Sequence, residues 1–288
     1  MNATTTPLSR LTEELGVDLS TPRSQLLLVL GDDELIAGHR ASHWTGVAPA
    51  MEEDLAFSTL AQDEINHGDL WYQVLVGLET TGETARTAVD AIGLGRAPDG
   101  YRHAIVVERP PRDFAFTLAT HWAYDRFDAV RLAALTGSSD ADIAAVATKL
   151  QFEERYHLEH ADLWFARLTR GAATDGLTAD LDSEGGRRFR DALAVVLPEA
   201  LGLAEPFAGE DEAVASGLLP ISHADLGERW LEIIAPQLAA AGLGDVVPTG
   251  AVPAEASGGR DGRHSPDFTD DVWPEMTALY RADPEARW

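Results

Sequence analysis

The sequence predicts an all-α protein: a four-helix bundle in the first 170 residues, followed by additional C-terminal helices. Apolar residues recur in long segments at the 3.6-residue period of an amphipathic helix. Stretches rich in Gly, Pro, Ser and Thr separate these segments, as helix breaks do. No segment alternates convincingly between apolar and polar residues, so strands are not expected.

The first pair of helices is predicted for residues 23–44 and 50–77. The stretch "TGVAP" between them combines a glycine with a proline, which interrupts the apolar period. The second helix opens with "MEED", and acidic side chains are favourable at a helix N-terminus because they complement its dipole. A shorter helix is expected at residues 81–94, followed by the connector "GRAPDGYRHAIVVERPPR".

The second pair of long helices is predicted for residues 113–135 and 141–168. The stretch "TGSSD" ends the first of them and caps the second. Beyond "TRGAATDG", shorter helical segments are predicted at residues 183–203, 208–217, 224–242 and 268–280.

The helices and breaks together predict how the chain is organised. The polar N-terminal residues are expected to be loosely tied, because they offer little apolar surface for packing. The predicted parts are a flexible N-terminal arm (1–22), a four-helix core (23–170) and a helical extension packed on it (171–288), with a Gly/Pro-rich loop at 242–266.

Composition narrows the function classes. The net charge of -26 disfavours binding to nucleic acids or anionic membranes, whose surfaces are negatively charged. There is no cysteine, which excludes disulfides, thiolate metal ligands and cysteine nucleophiles. No long uninterrupted apolar run and no signal-peptide core are present, so we expect a soluble, cytoplasmic protein.

The charge pattern also predicts how stability depends on salt. Lys149 is the only lysine among 22 basic residues, and such an acidic, lysine-poor chain suits a cytoplasm at very high salt. Because salt screens the repulsion between carboxylates, we expect a halophilic source and a melting temperature that rises from dilute buffer to molar KCl. Thermal melts in the two buffers test this, and equal melting temperatures would contradict it.

Two Glu-x-x-His motifs carry the candidate chemistry. They occur as "EINH" at 64–67 and "ERYH" at 154–157, each on the apolar stripe of a predicted long helix. Residues three apart share a helix face, so the two side chains of each motif converge. Each motif also follows, in the same helical hairpin, a helix that carries a carboxylate. The six candidate metal ligands are Glu34, Glu64, His67, Asp125, Glu154 and His157.

This set is typical of di-iron carboxylate bundles, in which two helices supply one carboxylate each and the other two supply Glu-x-x-His. Two divalent irons carry four positive charges, which four carboxylates neutralise, while imidazoles complete the coordination and leave positions open for dioxygen. Without metal, four carboxylates in a bundle core would lose hydration and repel one another. The sequence therefore predicts a di-iron site, with surface or Arg-paired residues as the alternative.

Alternatives remain open at individual ligand positions. Asp128 lies one turn beyond Asp125 on the same face, although Asp125 fits the spacing of the hairpins better. Asp33 precedes Glu34, but only Glu34 aligns with the apolar stripe. His121, one turn before Asp125, is a candidate to orient that carboxylate by a hydrogen bond, or equally a histidine at the edge of the core.

At these residues the sequence resembles the ferritin-like large subunits of the multicomponent phenylacetyl-CoA epoxidases, in particular the PaaC subunit family. The resemblance rests on "LLLVLGDDELIAGHRASHWTGVAPAMEEDLAFSTLAQDE", "VVERPPRDFAFTLATHWAYDRFDA", "FEERYHLEHADLWFARL" and the C-terminal "GRHSPDFTDDVWPEMTALYRADPEARW". It implies a ferritin-like fold and a cytosolic role in aerobic phenylacetate breakdown. The family's complex epoxidises the aromatic ring of phenylacetyl-CoA with dioxygen and electrons from NADPH.

The resemblance also implies partners in a hetero-oligomer: a catalytic PaaA subunit, a small PaaB subunit and a flavin and iron–sulfur reductase. In this family PaaA carries the di-iron site, whereas PaaC is often a structural partner with incomplete ligands. The full ligand set here resembles the PaaA pattern instead, so we expect a supporting subunit with the residues to bind its own di-iron centre. A stand-alone di-iron oxidoreductase is the alternative, and an iron-storage ferroxidase is disfavoured by the long C-terminal extension.

Overall fold

A computed structural model of the chain describes residues 12–170 and 181–284. The described part is predominantly helical and contains no strand, which confirms the all-α prediction. None of its helices is both long and apolar enough to cross a membrane. The long helices are α1 (Pro22–Ser42), α2 (Met51–Val76), α3 (Gly82–Leu94), α4 (Phe114–Leu135), α5 (Ala141–Arg170), α6 (Glu184–Ala200) and α7 (His223–Ala240).

The predicted boundaries of the long helices lie close to the observed ones, whereas the connecting segments differ from the prediction. The predicted connector contains a 3-10 turn at Pro98–Gly100 and a short helix at Ile105–Glu108. The last predicted helix is divided into three short pieces, and Pro274 lies in the first turn of the middle piece, where a residue without a backbone N–H is tolerated. Its pieces are a π-helical turn (Asp267–Val272) and two short helices (Trp273–Met276 and Ala278–Ala282), and the helix predicted at 208–217 spans only Glu210–Ala215.

The division into arm, core and extension stays a prediction. Residues 1–11 and 171–180 lie outside the described part of the chain. Within the described part, Leu15 packs half-buried against the core. Trp230 of α7 lies against Phe127 of α4, with 6.3 Å between the ring centroids, so the C-terminal helices share a core with the bundle.

Glycines allow α1 and α2 to pack closely. A Cβ atom on Gly38 would lie 2.8 Å from the Cβ atom of Glu64, and one on Gly68 would lie 3.0 Å from the carbonyl oxygen of Gly31. Only a residue without a Cβ atom permits this approach without a shift of the backbone. As a result Glu34 of α1 and Glu64 of α2 lie close enough for their carboxyl groups to interact.

Three consecutive carboxylates, Asp32, Asp33 and Glu34, are buried on α1. A helix buried on all sides can hold them only if each charge is compensated. Asp32 accepts a hydrogen bond from the guanidinium of Arg96 at 2.9 Å and one from the backbone N–H of Arg102 at 2.7 Å. Asp32 is therefore structural.

Candidate metal centre

The two Glu-x-x-His motifs meet across the contact between α2 and α5. Nδ1 of His67 lies 2.9 Å from Oε1 of Glu154. Nδ1 of His157 lies 3.1 Å from Oε1 of Glu64 and 3.2 Å from Oε2 of Glu154. All four side chains are buried. Each motif therefore contacts the other, and Glu154 lies between the two histidines.

Glu34 joins this cluster from α1. One ligand atom from each of Glu34, Glu64, His67 and Glu154 lies within 4.8 Å of the others, a spacing that could hold a metal ion. The packing of α1, α2 and α5 thus brings these four predicted ligands together.

Asp125 lies beside this group rather than within it. Its Oδ2 atom lies 3.1 Å from Nδ1 of His121, the histidine one turn earlier on the same helix. The charges of His157 and Glu154 also act on it. The six predicted ligands thus comprise a group of four, His157 in direct contact with that group, and Asp125 adjacent to it.

Buried oxygens of the cluster lack hydrogen-bond partners within the described part of the chain. They include Oε2 of Glu34, Oε2 of Glu64 and both carboxylate oxygens of Asp125. An unsatisfied buried polar group costs about 1–3 kcal/mol, and more when it is charged. Coordination removes this cost, so the donor set fits divalent cations that accept mixed nitrogen and oxygen ligands.

A further carboxylate contacts the outer nitrogen of each histidine. Oε2 of Glu153 lies 3.1 Å from Nε2 of His67, and Oδ2 of Asp63 lies 3.5 Å from Nε2 of His157. The Glu153 contact is a hydrogen bond, which fixes the orientation of the His67 ring and leaves its Nδ1 directed at the cluster, whereas the longer Asp63 contact is not a hydrogen bond. Neither acid was predicted from the sequence, although each directly precedes the glutamate of a motif, and that repetition was the available signal.

Two arginines neutralise two more buried aspartates next to the cluster. Arg131 donates to Oδ1 of Asp128 at 2.8 Å and to Oδ2 of Asp33 at 2.6 Å, and Arg260 donates to Oδ1 of Asp33 at 2.8 Å. Arg260 comes from the glycine-rich stretch 257–265, for which the sequence indicates only a loop. Arg131 also lies 3.3 Å from Oε1 of Glu34, so it compensates part of the charge of one predicted ligand as well.

The pKa shifts of Glu34 and of the two histidines favour bound protons within the cluster. Burial, and then repulsion from neighbouring carboxylates, holds the pKa of Glu34 well above its ordinary value. Burial alone would lower the pKa of His67, but Glu154 and Glu64 outweigh it and raise that pKa. The pKa of His157 is likewise raised, because contacts with carboxylates outweigh burial.

Iron uptake is accordingly expected to release protons from the cluster. Glu34, His67 and His157 hold protons that ligation displaces, so affinity for Fe²⁺ should fall as the pH falls. The pH change on anaerobic addition of Fe²⁺ to weakly buffered protein measures the release. Glu34→Gln has no proton to lose there and should release about one proton fewer per site filled; equal release by both proteins would contradict the assignment.

An apolar pocket adjoins the cluster. Phe57, Leu60 and Phe116 contribute to its walls, and Glu64 and Tyr124 also line it. Because Glu64 belongs to both the pocket and the cluster, a small apolar molecule in the pocket would lie next to the candidate ligands.

Comparisons with known proteins agree with this architecture. Residues 12–288 match a family model described as phenylacetic acid catabolic protein. A curated relative, the C subunit of 1,2-phenylacetyl-CoA epoxidase from Escherichia coli strain K12, is 29% identical over 149 residues. The alignment covers 52% of this chain and 58% of the relative, so the match spans a little over half the length of that protein.

Proposed function

Because the chain belongs to the family of phenylacetic acid catabolic proteins, we propose that it is a PaaC-like subunit of a phenylacetyl-CoA 1,2-epoxidase complex. The observation that carries the proposal is the family match along residues 12–288. The relative, whose name makes it the C subunit of such an epoxidase, supports the same assignment. The chain would support a PaaA-like oxygenase subunit, together with PaaB-like and reductase subunits.

The proposal includes a di-iron centre in the bundle core. The buried, unsatisfied carboxylate oxygens and the two histidines support it. Glu34, Glu64, Asp125 and Glu154 would hold the ions together with the two histidines, and Glu154 contacts both of those histidines. When bound, such a centre supplies dioxygen chemistry. The residues of this chain would hold the ions, and Glu153 would orient His67 through its hydrogen bond.

A stand-alone di-iron oxidoreductase is the second candidate. The pocket that Phe57, Leu60 and Phe116 line favours it, because its walls could bind an apolar substrate beside Glu64. An isolated chain that oxidises a substrate without any partner would favour this function over the subunit assignment.

A partner subunit requires a surface to bind, and α5 offers one. Phe152, Tyr156 and Leu163 lie along one stripe of this helix and are 69%, 47% and 65% exposed. Large apolar side chains grouped on an exposed face mark protein–protein contacts more often than isolated ones do. We assign this stripe to the PaaA-like partner, because a chain of this family is expected to work in a complex.

Co-expression with a PaaA-like chain tests the subunit assignment. We expect the two chains to co-purify, and Leu163→Asp to lower the recovery of the partner by roughly tenfold or more, because a buried unpaired charge at an interface is costly. Leu279→Asp is the matched control, since Leu279 is 68% exposed on a short C-terminal helix. Failure of the wild-type chain to co-purify would reject the assignment, and equal recovery with both variants would reject the α5 surface.

A further inference from the structure

A second group of metal-binding side chains lies at the C-terminal end of α1, more than one helical turn beyond Glu34. His39 and His43 are one helical turn apart, and Glu275 reaches them from the short helix Trp273–Met276. Oε2 of Glu275 lies 3.7 Å from Nε2 of His39 and 3.4 Å from Nε2 of His43. One ligand atom from each residue lies within 4.8 Å of the other two.

These contacts are not hydrogen bonds. Nε2 of both His39 and His43 is buried and has no hydrogen-bond partner in the described part of the chain. The two distances to Glu275 are longer than a good hydrogen bond but close to the separation of about 3.3 Å between ligand atoms on a tetrahedral zinc ion. The three side chains are therefore spaced as ligands of a shared ion rather than as partners of each other.

The orientation of the rings also suits coordination. The imidazoles of His39 and His43 stand edge to face, with centroids 5.1 Å apart and an angle of 72° between their planes. Two histidines four residues apart on one helix face are a recurrent zinc-binding arrangement. By contrast, His103 and His264 beside Glu108 are stacked at 4.0 Å with an angle of 15°. Nearly parallel rings direct their in-plane lone pairs along separate planes, which disfavours a shared ion.

We propose that His39, His43 and Glu275 form a binding site for a divalent transition metal of the zinc class, which fastens the C-terminal segment to α1. Two imidazoles and one carboxylate leave the fourth tetrahedral position open to water or an exogenous ligand. Glu275 is exposed, so an ion can enter from solvent.

The local charges permit a dication. Arg40 is the cation beside the site, and its guanidinium is already paired with Asp271 at 2.9 Å.

The site has a structural consequence for the C-terminal segment. Trp273–Met276 and Ala278–Ala282 are one-turn helices, which are not stable by themselves in water. Trp273 holds the segment through a hydrogen bond from its indole N–H to the backbone oxygen of Arg96 at 2.9 Å. A metal bound by Glu275 and two α1 histidines adds a second attachment, so zinc is expected to slow amide exchange in this segment.

Zinc titration of the full chain tests the proposal, with the bundle ligands left intact. We expect His39→Gln/His43→Gln to bind one zinc fewer than the wild type and to lose zinc-dependent protection of residues 273–282 in hydrogen exchange. Glu275→Gln should weaken this one site by roughly tenfold or more, whereas Asp270→Asn, a nearby exposed control, should not.

The outcomes separate this site from the proposed di-iron centre. Equal zinc stoichiometry in the wild type and in His39→Gln/His43→Gln would overturn the proposed site at His39, His43 and Glu275. This holds whether or not the bundle centre also binds zinc. Loss of one zinc with unchanged iron content would support it, even if the subunit assignment failed.

Discussion

Replacing Glu64 and His67 together with alanine is expected to reduce the iron content from about two ions per chain to below about 0.2. Both side chains belong to the group whose ligand atoms lie within 4.8 Å of one another, so the double substitution removes ligands at its centre. Elemental analysis after purification with iron provides the measurement.

Two further variants distinguish lost ligation from lost folding. Glu64→Gln/His67→Gln keeps the approximate shapes of both side chains and should also lose iron, while circular dichroism shows whether the helices persist. Glu159→Ala, at an exposed position of α5, should retain the iron of the wild type. Wild-type protein with less than about 0.2 iron per chain, and no loss on substitution, would leave the bundle without a metal centre.

Replacing Arg131 with methionine is expected to destabilise the protein by about 3–5 kcal/mol. Arg131 is fully buried and donates hydrogen bonds to Asp33 and Asp128. Burial already raises the pKa of Asp128 to about 7 although Arg131 opposes that shift, so its carboxylate would lose its main stabilising charge. The free energy of unfolding, measured by urea denaturation, reports the effect.

The controls for this variant follow from the same contacts. Arg131→Met/Asp128→Asn removes the unpaired charge together with its partner and should recover part of the loss. Arg188→Met breaks an exposed pair with Glu184 and should cost less than about 1 kcal/mol. An Arg131→Met variant as stable as the Arg188→Met variant would show that this buried arginine does not stabilise the core.

The fold was predictable where the apolar period runs over many turns. The long helices from α1 to α5 begin and end within a few residues of their predicted limits, because each buries an apolar stripe that is visible in the sequence. The segment after Ala97 was less predictable. The short helix Ile105–Glu108 is one turn long, and such turns are stabilised by the tertiary contacts around them rather than by their own period.

The candidate site was predictable in part for a similar reason. Glu64 with His67, and Glu154 with His157, had to converge because residues three apart share a helix face. No local rule of this kind predicts the acids that contact the outer nitrogens of the two histidines. Asp63 lies beside a motif in sequence, but it contacts the histidine of the other helix.

The sequence by itself determined the long helices and the excess of negative charge, and it pointed to six candidate metal ligands. The tertiary structure alone decided which buried acids are already paired. Asp33 and Glu34 are neighbours on α1, yet Asp33 is held by Arg260, 227 residues away, whereas Glu34 keeps an unsatisfied oxygen at the bundle centre. A buried charge is balanced by whatever the fold brings within a few ångströms, and local sequence does not encode that distance.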